Sequence, residues 1–156
     1  MKLLNLYKNQ EFEAEILKVM DEDLKEANKS NQFEFDWIEE KKKQCDIFKI
    51  VIKDQESKIL GLISLTDINT EFRIHINLVE VSNDNKVKNK RIDRIAGCLL
   101  AFACKVAFEK GYLGFASLVP KTELVGLYIK KYGFKKYGSQ LAIDQRDAIG
   151  LIQKYL

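Results

Sequence analysis

Arg91–Tyr112 reads RIDRIAGCLLAFACKVAFEKGY, and the fold turns on this stretch. Ile95, Leu99, Phe102, Val106 and Ala107 recur at helical spacing, so an amphipathic helix has one face to bury. Lys110 falls in its last turn, and Gly111 suits the left-handed conformation that ends a helix. The opposite end is basic. Lys86, Lys88, Lys90, Arg91 and Arg94 gather where the first N–H groups of a helix lack internal partners. The helix dipole adds partial positive charge at that end, and together they attract phosphate. The same residues also fit a solvated basic loop ahead of a core helix, and the stretch alone leaves both readings open.

The sequence that follows separates them. LGFASLVP (Leu113–Pro120) is a short apolar run that reads as a buried strand, and TELVGLYIKKYGF (Thr122–Phe134) reads as a short helix ended by Gly133. With these in place the chain resembles the GNAT superfamily of acyl-CoA N-acetyltransferases. That family has a Q/R-x-x-G-x-G/A loop entering a helix, then a strand, then a tyrosine-bearing helix closing in K-x-G-F. Here Arg91-Ile92-Asp93-Arg94-Ile95-Ala96 stands for the loop, continued by Gly97-Cys98-Leu99-Leu100. Tyr128, Lys131, Tyr132, Gly133 and Phe134 stand for the second motif. Two departures are visible. Arg94 occupies the place of the family's first glycine, and Tyr128 lies one residue early, so that Ile129 holds the usual register. One residue is a turn of ~100° on a helix.

The resemblance implies an α/β (α+β) fold, a mixed, mostly antiparallel sheet flanked by helices, using acetyl-CoA and no metal. It implies that Arg91, Arg94 and the backbone of Ile95, Ala96, Gly97 and Cys98 hold the coenzyme pyrophosphate. Backbone groups of Val79 and Val81 would take the pantetheine arm and the thioester carbonyl. The acceptor would be a primary amine on a small molecule or a protein. An attacking amine must be neutral, so a base is needed. Glu80 is the first candidate, and His75, the sole histidine, is the second. Tyr128 would protonate the departing thiolate. The departures at Arg94 and Tyr128 motivate an alternative, a catalytically inactive GNAT-fold module that binds acyl-CoA or a partner.

Upstream, Phe72–Val81 alternates Phe72, Ile74, Ile76 and Leu78 against Arg73, His75 and Asn77. Beyond Leu78 the phase slips, with Val79 and Val81 apolar and Glu80 in the formerly apolar phase. A bulge produces such a slip; so does a plain strand end. Ile47–Lys53 and Ile59–Ile68 read as two further strands, and MKLLNLY as a first one. Residue types predict a helix over Glu11–Asn28, with Phe12, Ile16, Leu17, Met20 and Leu24 on one face, and another over Phe33–Lys43. Phe33, Phe35 and Trp37 either line an acceptor pocket or pack the core. Phe134–Ile143 is strand-like, and Arg146–Leu156 predicts an amphipathic helix available to cover a sheet edge or join two copies as a homodimer.

At 156 residues and 46% hydrophobic content the chain suits a single domain with a full core. Its 26 basic and 23 acidic residues leave only +3, which argues against a nucleic-acid-coating protein while permitting a local basic site. The basic loop also lacks the interleaved aromatics of single-strand binding. Cys45, Cys98 and Cys104 form no C-x-x-C pair, and the latter two read as small core residues. No leader is recognisable and no apolar run reaches membrane-spanning length, so the expected location is cytoplasmic, away from membranes.

Overall fold

The computed structural model describes residues 1–86 and 90–156, so Lys88 of the basic loop lies outside the described residues. The elements run β1 (Lys2–Asn5), β2 (Gln10–Lys18), α1 (Asp21–Lys29), α2 (Trp37–Lys41), β3 (Asp46–Ile52), β4 (Gly61–Ile68) and β5 (Arg73–Val81). They continue with β6 (Ile92–Asp93), α3 (Ile95–Glu109), β7 (Ala116–Leu118), α4 (Val125–Tyr132), β8 (Lys135–Tyr137), β9 (Gln140–Ile143) and α5 (Gln145–Tyr155). The strands form one sheet in the order β6-β1-β2-β3-β4-β5-β7-β9-β8. Among the described residues only β5 and β7 pair in parallel, joined by the α3 crossover; every other pair is antiparallel. This is the mixed, mostly antiparallel sheet flanked by helices that the sequence led us to expect.

The helix expected over Glu11–Asn28 is divided: its first half is β2, and α1 begins only at Asp21. Glutamate and lysine favour helix, but β2 gains backbone pairing on both edges, to β1 and to β3. Tertiary pairing outweighs a propensity worth only tenths of a kcal/mol per residue. The predicted Phe33–Lys43 helix is likewise shortened to Trp37–Lys41, because Asp36 caps it by accepting from Ile38 N–H and Glu39 N–H. A short strand, β6, also emerges within the basic loop and pairs with β1.

Helix α3 is buried on more than its predicted face. Leu99, Leu100, Ala101, Ala103, Cys104 and Ala107 have no exposed surface, because β4, β5 and β7 lie on one side and α5 on another. Truncating a fully enclosed Leu99 or Leu100 to alanine should cost about 2–5 kcal/mol. Burial pushes the Cys98 and Cys104 thiols up to about 11 and about 12, so both behave as apolar core groups. A smaller cluster on the opposite sheet face joins Leu24, Ala27, Trp37, Cys45, Ile47 and Leu62.

The predicted slip in β5 is a bulge. Ser64 pairs with Leu78 and Leu65 with Ile76, which leaves Asn77 without a partner on β4. The extra residue reverses the faces. Ile74 and Ile76, then Val79 and Val81, meet the α3 side, while Leu78 joins the α1–α2 side. Beyond Ile76 strand β7 no longer follows β5, and the free edge of residues 77–81 opens into a cleft.

Candidate functional site

Ser82 N–H donates to Leu60 C=O at 2.9 Å, which makes Gly61 and Val81 a non-hydrogen-bonded antiparallel pair. By alternation the backbone N–H and C=O of Val79 and Val81 point away from β4, into the gap left by β7. A cavity of about 250 Å3 occupies that gap, lined by residues 76–81 of β5, by Leu118–Lys121 and by Tyr128. It shares Val81, Lys86 and Leu124 with a larger cavity of about 830 Å3 at the start of α3, so the two lie side by side along one cleft wall. At its other end the small cavity shares Phe35, Asn77 and Leu78 with a third, of about 450 Å3, beside α2.

The charge of this cleft changes along its length. Around α3 its wall carries Lys86, Lys90, Arg94, Lys131 and Lys154 against one carboxylate, Asp93. Beside α2 it carries Asp36, Glu39 and Glu40 against Lys43. Burial alone would raise the Asp93 carboxyl, but the Lys90 ammonium at 2.9 Å and the Arg94 backbone N–H hold it below its ordinary value. Lys90 is thereby occupied. Lys131 and Lys154 pair with no carboxylate among the described residues, and each ammonium instead lies over an aromatic ring, of Tyr132 and Tyr155.

The start of α3 opens on the large cavity through Ile95 and Ala96. Its N-cap residue, Arg94, makes no side-chain cap bond, and the first helical N–H groups have no intrahelical acceptor. Cys98 N–H is already bonded to Arg94 C=O at 3.0 Å and its side chain is fully buried, which removes Cys98 from the expected phosphate donors. Gly97 sits beneath the Tyr155 ring; a β-carbon there would overlap Tyr155 Cε1. Its smallness therefore serves helix–helix packing. Arg91 is exposed and does not line the cleft, and its C=O accepts from Leu6 N–H at 2.8 Å to continue the β1–β6 pairing.

Arg94 shows why its position suits glycine: its φ of 79° and ψ of 2° are left-handed. Its side chain does not fold over the loop. Nε donates to Lys2 C=O at 3.1 Å, Nη2 donates to Lys154 C=O, and the guanidinium lies 4.9 Å from the centre of the Tyr155 ring. The arginine fastens α5 and the amino-terminal strand to the start of α3.

Glu80 is 4% exposed, on the α2 side of the bulge. Oε2 accepts from Glu34 N–H at 2.7 Å, and Oε1 accepts from Phe35 N–H at 3.3 Å and from Trp37 Nε1–H at 2.9 Å. Lys86 Nζ lies 3.6 Å away. This carboxylate ties the 34–37 segment to the cleft wall, and Trp37 is core rather than pocket. Phe33 packs in the same core, whereas Phe35 lines both the central and the acidic cavity. Tyr128 also reaches the central cavity, although Ile129 holds the usual register; Ile129 faces outward. The Tyr128 hydroxyl bonds to no described residue, and burial raises its pKa. His75 is not brought to the cleft. Its Nδ1 lies 2.8 Å from Ser117 Oγ and 3.2 Å from Arg73 Nη1, where β5 and β7 still pair. Burial and then the Arg73 charge lower its pKa.

Sequence reasoning missed Asn77, Lys131 and Lys154. Asn77 sits at the slip in alternation, Lys131 is the lysine of the second motif, and Lys154 carries no local signal. Among the described residues, no group of three or more histidine, cysteine or acidic side chains could hold a metal, and no helix is long and apolar enough to cross a membrane.

No family model matches the sequence. No curated protein matches it either. Solved structures do match the fold. A spermidine N-acetyltransferase SpeG chimera from Vibrio cholerae and hSSAT superposes with a TM-score of 0.63 at 18% identity, covering 88% of this chain and 99% of that one. AtaTR bound with AcCoA gives 0.63 at 13% identity over 89% of this chain and 98% of that one. An IAA acetyltransferase from Bacillus cereus gives 0.55 at 16% identity over 80% and 79%. At these identities the likeness establishes the fold, which is that of the GNAT acetyltransferases.

Proposed function

We propose that this protein is an N-acetyltransferase that moves an acetyl group from acetyl-CoA to a primary amine. One observation carries the reading: a row of three adjoining cavities, cationic at the α3 end and acidic at the α2 end, with residues 77–81 of β5, beyond its pairing with β7, between them. The cationic end matches the phosphates of the coenzyme, with the N–H groups of Ile95, Ala96 and Gly97 at a helix start and lysines around them. The outward backbone groups of Val79 and Val81 suit an extended pantetheine arm, which would add to β5 as a strand does, and a thioester carbonyl needing hydrogen-bond donors. The acidic end matches an amine that arrives protonated, on a small molecule or a protein. The SpeG relative acts on spermidine, a cationic amine, and AtaTR was solved with AcCoA.

In the reaction the arriving ammonium first gives up one proton; the neutral nitrogen then attacks the thioester carbon, the C–S bond breaks, a second proton leaves the nitrogen for water and one reaches the sulfur. Tyr128, on the wall of the central cavity with a hydroxyl that bonds to no described residue, gives the proton to the thiolate. Glu80 takes the amine proton through a water, since three N–H donors already occupy most of its lone pairs. Binding of acetyl-CoA measured by calorimetry, followed by thiol release against a panel of primary amines, tests the reading. Binding with amine-dependent thiol release supports it, binding without release makes the protein an acyl-CoA-holding module, and no binding withdraws the assignment.

A further inference from the structure

A buried polar chain behind the cleft fixes one side chain at the point where β5 and β7 part. Glu40 of α2 is 5% exposed, with Oε2 paired to Lys43 Nζ at 3.1 Å and Oε1 3.1 Å from Ser64 Oγ. A carboxylate only accepts hydrogen bonds, so the single proton of the fully buried Ser64 hydroxyl is committed to Glu40. The neighbouring Cys45 thiol, 2.9 Å from Ser64 Oγ, has its own acceptor in Glu40 C=O at 3.1 Å. Ser64 Oγ therefore has only lone pairs left for the next group, Asn77, whose Nδ2 lies 3.2 Å away. The second N–H of that amide reaches Thr66 Oγ1 at 2.8 Å. Both donors of Asn77 are thus held against β4, and the usual ambiguity between amide oxygen and nitrogen is removed by chemistry.

With both N–H groups turned to β4, Oδ1 accepts from no donor among the described residues. Asn77 is the unpaired residue of the bulge, and it lines both the central and the acidic cavity. The cleft therefore holds an uncharged acceptor, fixed in direction, at the junction of its two ends. We infer that Asn77 holds the attacking amine, its Oδ1 accepting an N–H of the acceptor nitrogen so that the lone pair faces the thioester carbon. A neutral carbonyl suits this better than a carboxylate, which would favour the protonated, non-nucleophilic amine. Ser64 and Glu40 are positioning residues that act through Asn77. The inference rests on the acetyltransferase reading and names a residue that reading does not use.

The test follows thiol release from acetyl-CoA with butylamine, 1,4-diaminobutane and a lysyl peptide as acceptors. Asn77→Ala, at an exposed position, should lower kcat/KM for the best amine by about tenfold or more while leaving acetyl-CoA affinity unchanged. Ser64→Ala frees the amide to rotate; it should move the same parameter by a smaller factor and have no further effect in the Asn77→Ala background. Native kcat/KM in Asn77→Ala overturns the assignment. A parallel loss of acetyl-CoA affinity also overturns it, since the residue would then be maintaining the bulge. If the native protein releases no thiol with any of the three amines, the acetyltransferase reading falls and this assignment falls with it.

Discussion

The Tyr155 ring lies over Gly97 with no room for a β-carbon between them, which locks the last turn of α5 onto the first turn of α3. Gly97→Ala should therefore destabilise the protein by about 1–3 kcal/mol, the usual cost of overpacking. In a Tyr155→Ala background the same change should become neutral or favourable, because alanine forms helix better than glycine by ~1 kcal/mol. Urea midpoints of the four proteins check this, and an equal cost in both backgrounds would locate the constraint elsewhere.

Arg94→Gly exchanges two opposing effects. Glycine relieves a left-handed backbone that costs arginine about 1 kcal/mol. It also removes the bonds to Lys2 and Lys154 carbonyls, which together are worth somewhat more. A net loss of ~1 kcal/mol is expected, with faster amide exchange in β1 and the last turn of α5. Coenzyme affinity should change little. A large drop in that affinity would instead make the guanidinium a phosphate ligand.

Glu80→Gln should affect both stability and turnover. A glutamine amide presents one acceptor oxygen where three N–H donors converge, and its NH2 would face one of them. Loss of roughly 2 kcal/mol is expected from the unsatisfied donors, with the 34–37 segment loosened and turnover lowered more than acetyl-CoA affinity. Unchanged turnover in the folded variant would take Glu80 out of proton transfer.

Lys131 and Lys154 should favour a ligand carrying an extra terminal phosphate. Replacing both with alanine should weaken CoA about fivefold at low salt and dephospho-CoA less, with the difference shrinking as salt screens the charges. Isothermal titration of the two ligands at two ionic strengths gives the comparison. An equal loss for both would assign the lysines to the pyrophosphate instead.

Stability should fall in strong alkali. The Cys104 thiol is raised by burial from 9.0 to about 12, so the unfolded chain releases its proton first. The contribution is fully present below pH 9 and is lost as pH rises towards 12. Cys98 acts in the same direction between 9.0 and about 11. Denaturant midpoints measured from pH 7 to pH 11 should decline above pH 9, and less steeply in Cys104→Ala.

The sequence by itself determined the α3 helix, its stop at Gly111, the β7–α4 continuation and the phase slip in β5. Each of these is a local pattern, read from neighbours within two turns or a few strand residues. It also marked the basic approach to α3 and Tyr128, although Tyr128 reaches the cleft from a register the family pattern does not use. Tertiary structure decided the rest. Glu11–Ile16 alternates perfectly well as a strand, yet Phe12, Ile16 and Leu17 also fit a helix, and only pairing with β1 and β3 chose between them. The carbonyl partners of the Arg94 guanidinium belong to Lys2 and Lys154, 92 and 60 residues away. Glu80 is committed to a segment 43–46 residues earlier, and the direction of the Asn77 amide depends on Glu40 through Ser64. Periodicity reports which way a side chain faces within its own element. The group it meets there is supplied by a distant part of the chain, and only folding brings the two together.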